Sequence, residues 1–380
     1  MADPSPRLAM VAGEASGDLL AGLLLGGLRQ RWPQLQAGGI GGLRMQAHGF
    51  DAWWPSDKLA VRGYVEVLRH YPEIAGIRRR LTERLLAERP AAFIGVDAPD
   101  FNLALEARLK TAGVPTVHFV CPSIWAWRGG RAQRLARSAD LVLCLFPFEP
   151  ALLETHGVRA SYVGHPLADT IPLDPPRTEA RRALGVAESD TVIALLPGSR
   201  RSEIEYIAPT LLEAARRLQA QRTELRFVLP VAPGLRPLVD ALVARHGPEG
   251  LMLLEGRSHE ALAACDLTLI ASGTATLEAA LFKRPMVIAY RMHPLSWQLM
   301  KRMRYQPWVG LPNILCREFV VPELIQEHCT AQALADTALR LLDDAPGILR
   351  LRQRFDELHL LLRRDTARCA TDAIEQTLAA

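Results

Sequence analysis

The sequence predicts an α/β protein built as two successive doubly wound domains. Three observations predict it. Short apolar runs alternate with helix-period segments along the whole chain, the pattern of parallel sheets covered by helices. The alternation comes in two sets, parted at Ala168–Arg177 by a proline-rich stretch too stiff for strand or helix. A length of 380 residues also exceeds what one ordinary core holds.

In the first set, strands are expected at Leu8–Ala12, Ala92–Val96, Thr116–Val120 and Leu141–Leu145, with a short one near Tyr162. The Ala92–Val96 run lacks polar alternation, as a strand buried on both faces does. Helices are expected at Gly17–Arg31, Ile74–Glu88 and Leu103–Ala112. In the second set the strands are Thr191–Leu196, Arg226–Pro230, Leu251–Leu254, Leu267–Ala271 and Met286–Tyr290, with helices such as Glu203–Gln219 and Thr274–Phe282 between them. From Pro346 to Ala380 the chain is charged and helical in pattern.

Composition narrows the function classes. The chain is 49% hydrophobic, yet no apolar stretch is long enough to span a bilayer. The N-terminus is polar and proline-broken, and the run Leu8–Ala12 is too short for a secretory signal. Six cysteines, at 121, 144, 265, 316, 329 and 369, are scattered without a CxxC pair, so reduced thiols in a cytosolic chain are expected. The histidines are dispersed and no HExxH is present, so no metal site is expected. Net charge is +4, and between Ala60 and Arg89 seven arginines face four glutamates, a local +3. That suits a phosphate-bearing partner or an anionic membrane surface. RNA-recognition and homeodomain signatures are absent, so nucleic acid is not an expected partner.

Asp97-Ala98-Pro99-Asp100-Phe101-Asn102 follows the Ala92–Val96 run. Pro99 bars a clean continuation of strand or helix. Two carboxylates are therefore expected on a loop at the carboxyl end of a central strand, where open α/β sheets bind ligands. A carboxylate there can take a proton from a hydroxyl.

Gly13-Glu-Ala-Ser-Gly-Asp18 joins the first strand to the first helix. It is not GxGxxG, which disfavours a dinucleotide, nor GxSxG, which disfavours Ser16 as a nucleophile. The plain reading is a tight turn with Ser16 or Asp18 as N-cap. In the second set, Leu195–Ser202 offers the amides of Gly198 and Ser199, and Arg200 or Arg201 can fork onto phosphate oxygens. It has no lysine and no Walker spacing; the plain alternative is a solvated helix start. Ala271–Glu278 repeats the device. Ser272 and Thr274 suit a cap, Gly273 admits a close phosphate, and Glu278, one turn on, can accept ribose hydroxyls or simply face solvent. Two such helix starts in one domain point to a diphosphate nucleotide.

Pro122-Ser-Ile-Trp-Ala-Trp-Arg128 sets two tryptophans after a strand end, for a sugar or apolar ligand or for the core. His118 and His165 lie near strand ends. The segments Tyr64–Leu86 and Trp297–Trp308 mix apolar and basic residues, readable as membrane-interface surface or as core-facing helix.

GEASGD, VDAPDFN, PSIWAWR, FPFE, VGHPLAD, LLPGSR, SGTATLE and LPNIL, in this order from about Leu8 to Leu324, resemble the lipid-A-disaccharide synthases. The resemblance implies a GT-B fold, two Rossmann-like domains facing across a cleft. Residues 1–170 would take the acceptor, 171–350 the UDP-sugar, and 351–380 would cross back onto the first domain. The implied reaction is an inverting transfer of 2,3-diacylglucosamine from UDP to 2,3-diacylglucosamine 1-phosphate, giving the β-1,6-linked disaccharide and UDP. No metal or organic cofactor is implied. The place implied is the cytoplasmic face of the inner membrane, in peripheral contact with anionic lipid, with a homodimer left open as the assembly.

By the same resemblance Asp97 is the base. Gly198, Ser199, Arg200, Ser272, Gly273, Thr274, Glu278 and Asn313 fall at nucleotide positions. Glu14, Ser16, Asp18, Asp100, Asn102 and Trp127 fall on the acceptor side. Two rival readings stand beside this one: a non-hydrolysing UDP-N-acetylglucosamine 2-epimerase, and a non-catalytic nucleotide-sugar-binding module.

Overall fold

A strand with helices on both faces needs apolar side chains in both directions. Strand β1 (Arg7–Ala12) has them: Leu8, Met10 and Ala12 enter one core, Ala9 and Val11 the other. The computed structural model describes residues 5–59, 64–125, 130–292, 297–298 and 305–379. The chain divides into two units, Met1–Asp169 with Leu361–Ala380, and Thr170–Leu360.

In the first unit β1 is joined by β2 (Gln36–Gly41), β3 (Asp51–Pro55), β4 (Ala92–Val96), β5 (Thr116–Phe119), β6 (Leu141–Cys144) and β7 (Ala160–Tyr162). All pairings are parallel and the order is β3-β2-β1-β4-β5-β6-β7. Two of these strands, β2 and β3, have no counterpart among the strands expected from sequence. The run Gln-Ala-Gly-Gly-Ile-Gly of β2 lacks the β-branched signature of a strand because its glycines make room for neighbours. A Cβ on Gly38 would sit 2.8 Å from the Trp53 ring, and one on Gly39, at φ +144°, would collide with the Met10 carbonyl oxygen.

Helix α1 (Ala15–Arg31) covers one face of this sheet together with the last helix, Thr366–Leu378. The chain's end thus packs on the first unit. Its Ala370, Ala373 and Ile374 are buried in the same core as Leu24 and Leu28 of α1. Gly27 permits the approach: a Cβ there would lie 2.8 Å from the Ala367 carbonyl oxygen. Asp169 anchors the return by accepting hydrogen bonds from the amides of Arg364, Asp365 and Thr366, at 3.1, 2.9 and 2.8 Å.

The other face is covered by two helices, α3 (Tyr64–Glu88) and α4 (Pro99–Thr111). Ile77, Leu81 and Leu85 of α3 are buried with Phe93 of β4 and with Phe101, Leu105 and Leu109 of α4. For these three residues the core-facing reading of the basic-apolar segment holds and the membrane-interface reading does not, because their side chains fill the first unit's own core.

The second unit repeats the plan with β8 (Val192–Leu196), β9 (Arg226–Val231), β10 (Met252–Glu255), β11 (Leu267–Ala271), β12 (Met286–Tyr290) and β13 (Glu323–Ile325). These strands are parallel in the order β10-β9-β8-β11-β12-β13. The three-residue β13 is too short to show a pattern in the sequence. In both units the strand order reverses once, between β1 and β4 and between β8 and β11. At such a switch point two neighbouring loops turn away from each other and leave a crevice at the carboxyl ends of the strands.

Candidate functional site

The Asp97 segment lies at the first switch point. Strand β4 ends at Val96, and α4 begins at Pro99 rather than past it. The expected loop is a two-residue turn, because proline suits the first helical position, where its missing N–H is no loss. Asp100 and Asn102 accordingly belong to the first turn of α4. Asp97 and Ala98 both take left-handed backbone, φ +51° and +43°, a conformation that costs non-glycine residues free energy and is found at functional sites. The turn is held on both sides. The Asp97 amide donates to the Phe119 carbonyl at 2.8 Å, and Asn102 Nδ2 donates to the Asp97 carbonyl at 2.8 Å.

Asp97 is partly buried. Burial holds its carboxyl above the usual aspartate range; the Ala98 amide and the His118 imidazole oppose that, and Glu14 adds to it. Below the turn, Glu106 of α4 and His118 of β5 are both fully buried, with Oε1 2.7 Å from Nδ1. Glu106 is raised by its burial and drawn back down by His118. Gly95 makes the space, since a Cβ there would overlap the Glu106 carboxylate.

The GEASGD loop lies on the other side of the same crevice. A Cβ on Gly13 would stand 3.1 Å from that of Ala98, and one on Gly17 would stand 3.6 Å from the Val96 carbonyl oxygen. Glu14 is the N-cap of α1 and Ser16 is exposed. Asp18 is buried and accepts from the amides of Gly42, Arg44 and Met45, at 2.8, 2.9 and 3.2 Å. Its carboxylate caps the short helix α2 (Leu43–Gln46) and is spent there. Asn102 likewise is fully buried and serves the turn from below. Asp100, its side chain 78% exposed, receives Arg131 Nη2 on both oxygens at 2.9 and 3.0 Å. Trp127 lies outside the described residues. Trp125, its neighbour in the motif, donates its indole N–H to Glu149 at 3.0 Å and meets Phe146 and Phe148 edge to face. His165 stacks on Phe146, and burial pushes its imidazole down to about 4.

The second switch point carries the nucleotide candidates. Gly198, at φ +115°, turns the chain from β8 toward the helix Arg201–Gln221. Glu203 Oε2 accepts from the amides of Ser199 and Arg200 at 3.1 and 3.2 Å, and Arg200 Nη1 meets Glu203 Oε1 at 3.1 Å. A carboxylate of the chain itself therefore occupies the anion position at this helix start. Across the switch point, Gly273 at φ +155° precedes the helix Thr274–Leu281, and its missing Cβ faces open space. Ser272 Oγ donates to the Val309 carbonyl at 2.7 Å. Glu278 lies 3.6 Å from His259, which it raises in pKa. Asn313 is fully buried, and its side chain is divided between the Val321 backbone and Glu323. Glu323 in turn accepts from the amides of Val309 and Gly310. Asn313 thus sits in the support of the loop that Ser272 touches, with no polar atom left to face a ligand.

Comparison with known proteins converges on one family. The model of the lipid-A-disaccharide synthetase family matches residues 8–374. A lipid-A-disaccharide synthase of Verminephrobacter eiseniae is 59% identical over 98% of this chain and 97% of its own length. The chain belongs to the lipid-A-disaccharide synthetase family. Among solved structures, a UDP-GlcNAc 2-epimerase from Neisseria meningitidis superposes with TM-score 0.64 at 12% identity, over 98% of this chain and 99% of that one. A glycosyltransferase from Rickettsia africae does so with TM-score 0.61 at 9% identity, over 99% of each. At those identities the likeness is one of fold, two Rossmann-like domains of GT-B type.

Within this family member, several residues at the two crevices carried no signal in the sequence. Glu106, Arg131, Glu149 and Glu203 are single charged residues on helices, indistinguishable in sequence from surface charge. Only the first had a legible companion: Gly95, mid-strand, marks a place where something approaches closely.

Proposed function

We propose that the chain transfers a 2,3-diacylglucosaminyl group from UDP to the 6-hydroxyl of 2,3-diacylglucosamine 1-phosphate, with Asp97 as the base. The observation that carries this is Asp97 itself: a partly buried carboxylate on a doubly left-handed turn at a switch point, held by Phe119 and Asn102. Asp97 takes the proton of the acceptor hydroxyl. The oxygen forms its bond to the anomeric carbon as the bond from that carbon to the β-phosphate breaks. UDP leaves with the electron pair, and the configuration inverts. General-base assistance of this kind contributes roughly 10²–10⁴-fold.

The diphosphate takes the amides of Ser199 and Arg200 from Glu203, and Arg200 turns from that carboxylate to the phosphate oxygens. Gly273 and Thr274 supply the second helix start, and Glu278 the ribose contact. Fixed amides and a guanidinium stabilise charge as it develops on the leaving group. No helix among the described residues is long and apolar enough to cross a membrane.

The test is Asp97→Asn. Acceptor-dependent UDP release is expected from the wild type and should fall at least 100-fold in the variant, while calorimetry finds UDP affinity unchanged. A variant within a few-fold of wild type removes Asp97 from the chemistry. Sugar isomerisation without acceptor would instead favour an epimerase.

A further inference from the structure

Helix α3 carries Ala75, Arg78, Arg79 and Thr82 at the i, i+3, i+4, i+7 spacing of one helical stripe. Helix α4 faces it with Ala104 and Arg108, again four apart. These six residues line a surface pocket of about 190 Å³. The adjoining stripes of both helices, Ile77, Leu81 and Leu85 against Phe101, Leu105 and Leu109, share one buried core. The pocket walls are therefore fixed by packing, and the two alanines leave the room between three guanidinium groups.

No carboxylate lines this pocket. Arg79 approaches Glu83 only to 3.8 Å, with both side chains mostly exposed. Arg78 lies over the Phe101 ring at 5.9 Å and reaches the Asp100 carbonyl at 3.4 Å, neither contact neutralising its charge. The Arg108 side chain has no hydrogen-bond or ion-pair partner among the described residues. Three like charges converging on one pocket repel one another, and an anion between them removes the repulsion. Guanidinium forks match the geometry of phosphate oxygens.

We propose that this pocket binds a phosphate group. All six lining residues belong to the first unit, whereas the helix starts proposed for the donor diphosphate belong to the second. Two sources supply such a group: the 1-phosphate of the acceptor, and the headgroup of an anionic lipid. The first source rests on the proposed reaction. It is favoured by α4 itself, which begins two residues after Asp97 and carries Ala104 and Arg108 farther along.

The test uses the full chain and the double variant Arg79→Gln/Arg108→Gln, whose substituted side chains are exposed. Inorganic phosphate is titrated while the arginine Nε–H signals are followed by NMR. Wild-type signals of Arg78, Arg79 and Arg108 should shift together, and the double variant should bind phosphate at least tenfold more weakly with an unchanged melting temperature. Restoring charge with Arg79→Lys/Arg108→Lys should recover part of the affinity. Equal phosphate affinity in wild type and the glutamine variant overturns the proposal.

Two further arms separate the sources. A tenfold rise in KM for the acceptor with KM for the UDP-sugar unchanged assigns the pocket to the acceptor phosphate. Weaker co-sedimentation with phosphatidylglycerol-containing vesicles, at unchanged KM, assigns it to lipid headgroups. Absence of acceptor-dependent UDP release from the wild type would overturn the proposed reaction alone, because the phosphate titration reads the pocket independently of turnover.

Discussion

Asp97 and Ala98 hold two consecutive left-handed conformations, each costing on the order of 1–3 kcal/mol for a non-glycine residue. The surroundings that enforce them are the Phe119 carbonyl above and Asn102 below, with the Glu106–His118 pair deeper still. Removing one member of a buried polar pair leaves the other without its partner, at about 3–5 kcal/mol when the pair is ionic. Glu106→Ala should therefore lower the stability of the first unit by roughly 3 kcal/mol or more, read from urea melts. Glu106→Gln keeps the volume and one hydrogen bond and should lose only about 1–2 kcal/mol. Equal small losses in both would show that the buried pair contributes little to stability. At this scale Asp97 was legible, because an apolar run followed by a carboxylate and a proline marks a strand end. The pair beneath it was not. It exists only because β4 and β5 align Gly95 with His118, and a helix then returns Glu106 over the gap.

Among elements, the instructive case is the start of α4. Read locally, a proline interrupts; placed at the first helical position, it initiates. That difference moved Asp100 and Asn102 from a loop into a helix and left Asp97 alone on the turn. The connection after β6 shows a second effect of placement. Glu149 is buried under Trp125 and the Phe146 amide, and burial pushes its carboxyl up to about 7. In the unfolded chain a glutamate titrates near 4.5. The folded chain therefore holds this proton more tightly, and stability falls as pH rises from about 4.5 to about 7, then levels off. The span corresponds to about 3 kcal/mol. Glu149→Gln should flatten that slope, so the gap in unfolding free energy between variant and wild type should change by about this amount between pH 4.5 and 8, followed by tryptophan fluorescence. Parallel pH profiles would exclude Glu149 as the titrating group.

At the scale of the molecule, two sheets that share one strand order, the first with a seventh strand added at its edge, give two crevices, one furnished with a candidate base and the other with two helix starts that suit phosphate. The end of the chain belongs to the first unit, where Ala370, Ala373 and Ile374 complete the core over α1 and Asp169 caps the returning helix. Deleting Leu361–Ala380 would expose that core. The truncated chain should lose the melting transition of the first unit while UDP affinity, measured by calorimetry, changes little. Loss of UDP binding together with that transition would show the two units to be energetically inseparable.

The chain by itself determined which chemistry is on offer and where it sits along the fold. Strand-end motifs, glycines before helices and apolar periodicity are local, and local sequence encodes them directly. Tertiary structure decided which of those side chains remain available. Asp18, Asn102 and Asn313 carry the right chemistry but turn inward to satisfy backbone groups, because a buried loop needs partners for its N–H and C=O groups. It also decided the companions that no motif marks, Glu106 with His118, Trp125 with Glu149, and the arginines facing each other across α3 and α4. Those meetings depend on parallel strand pairing and helix packing between distant segments, which no short window of the sequence contains.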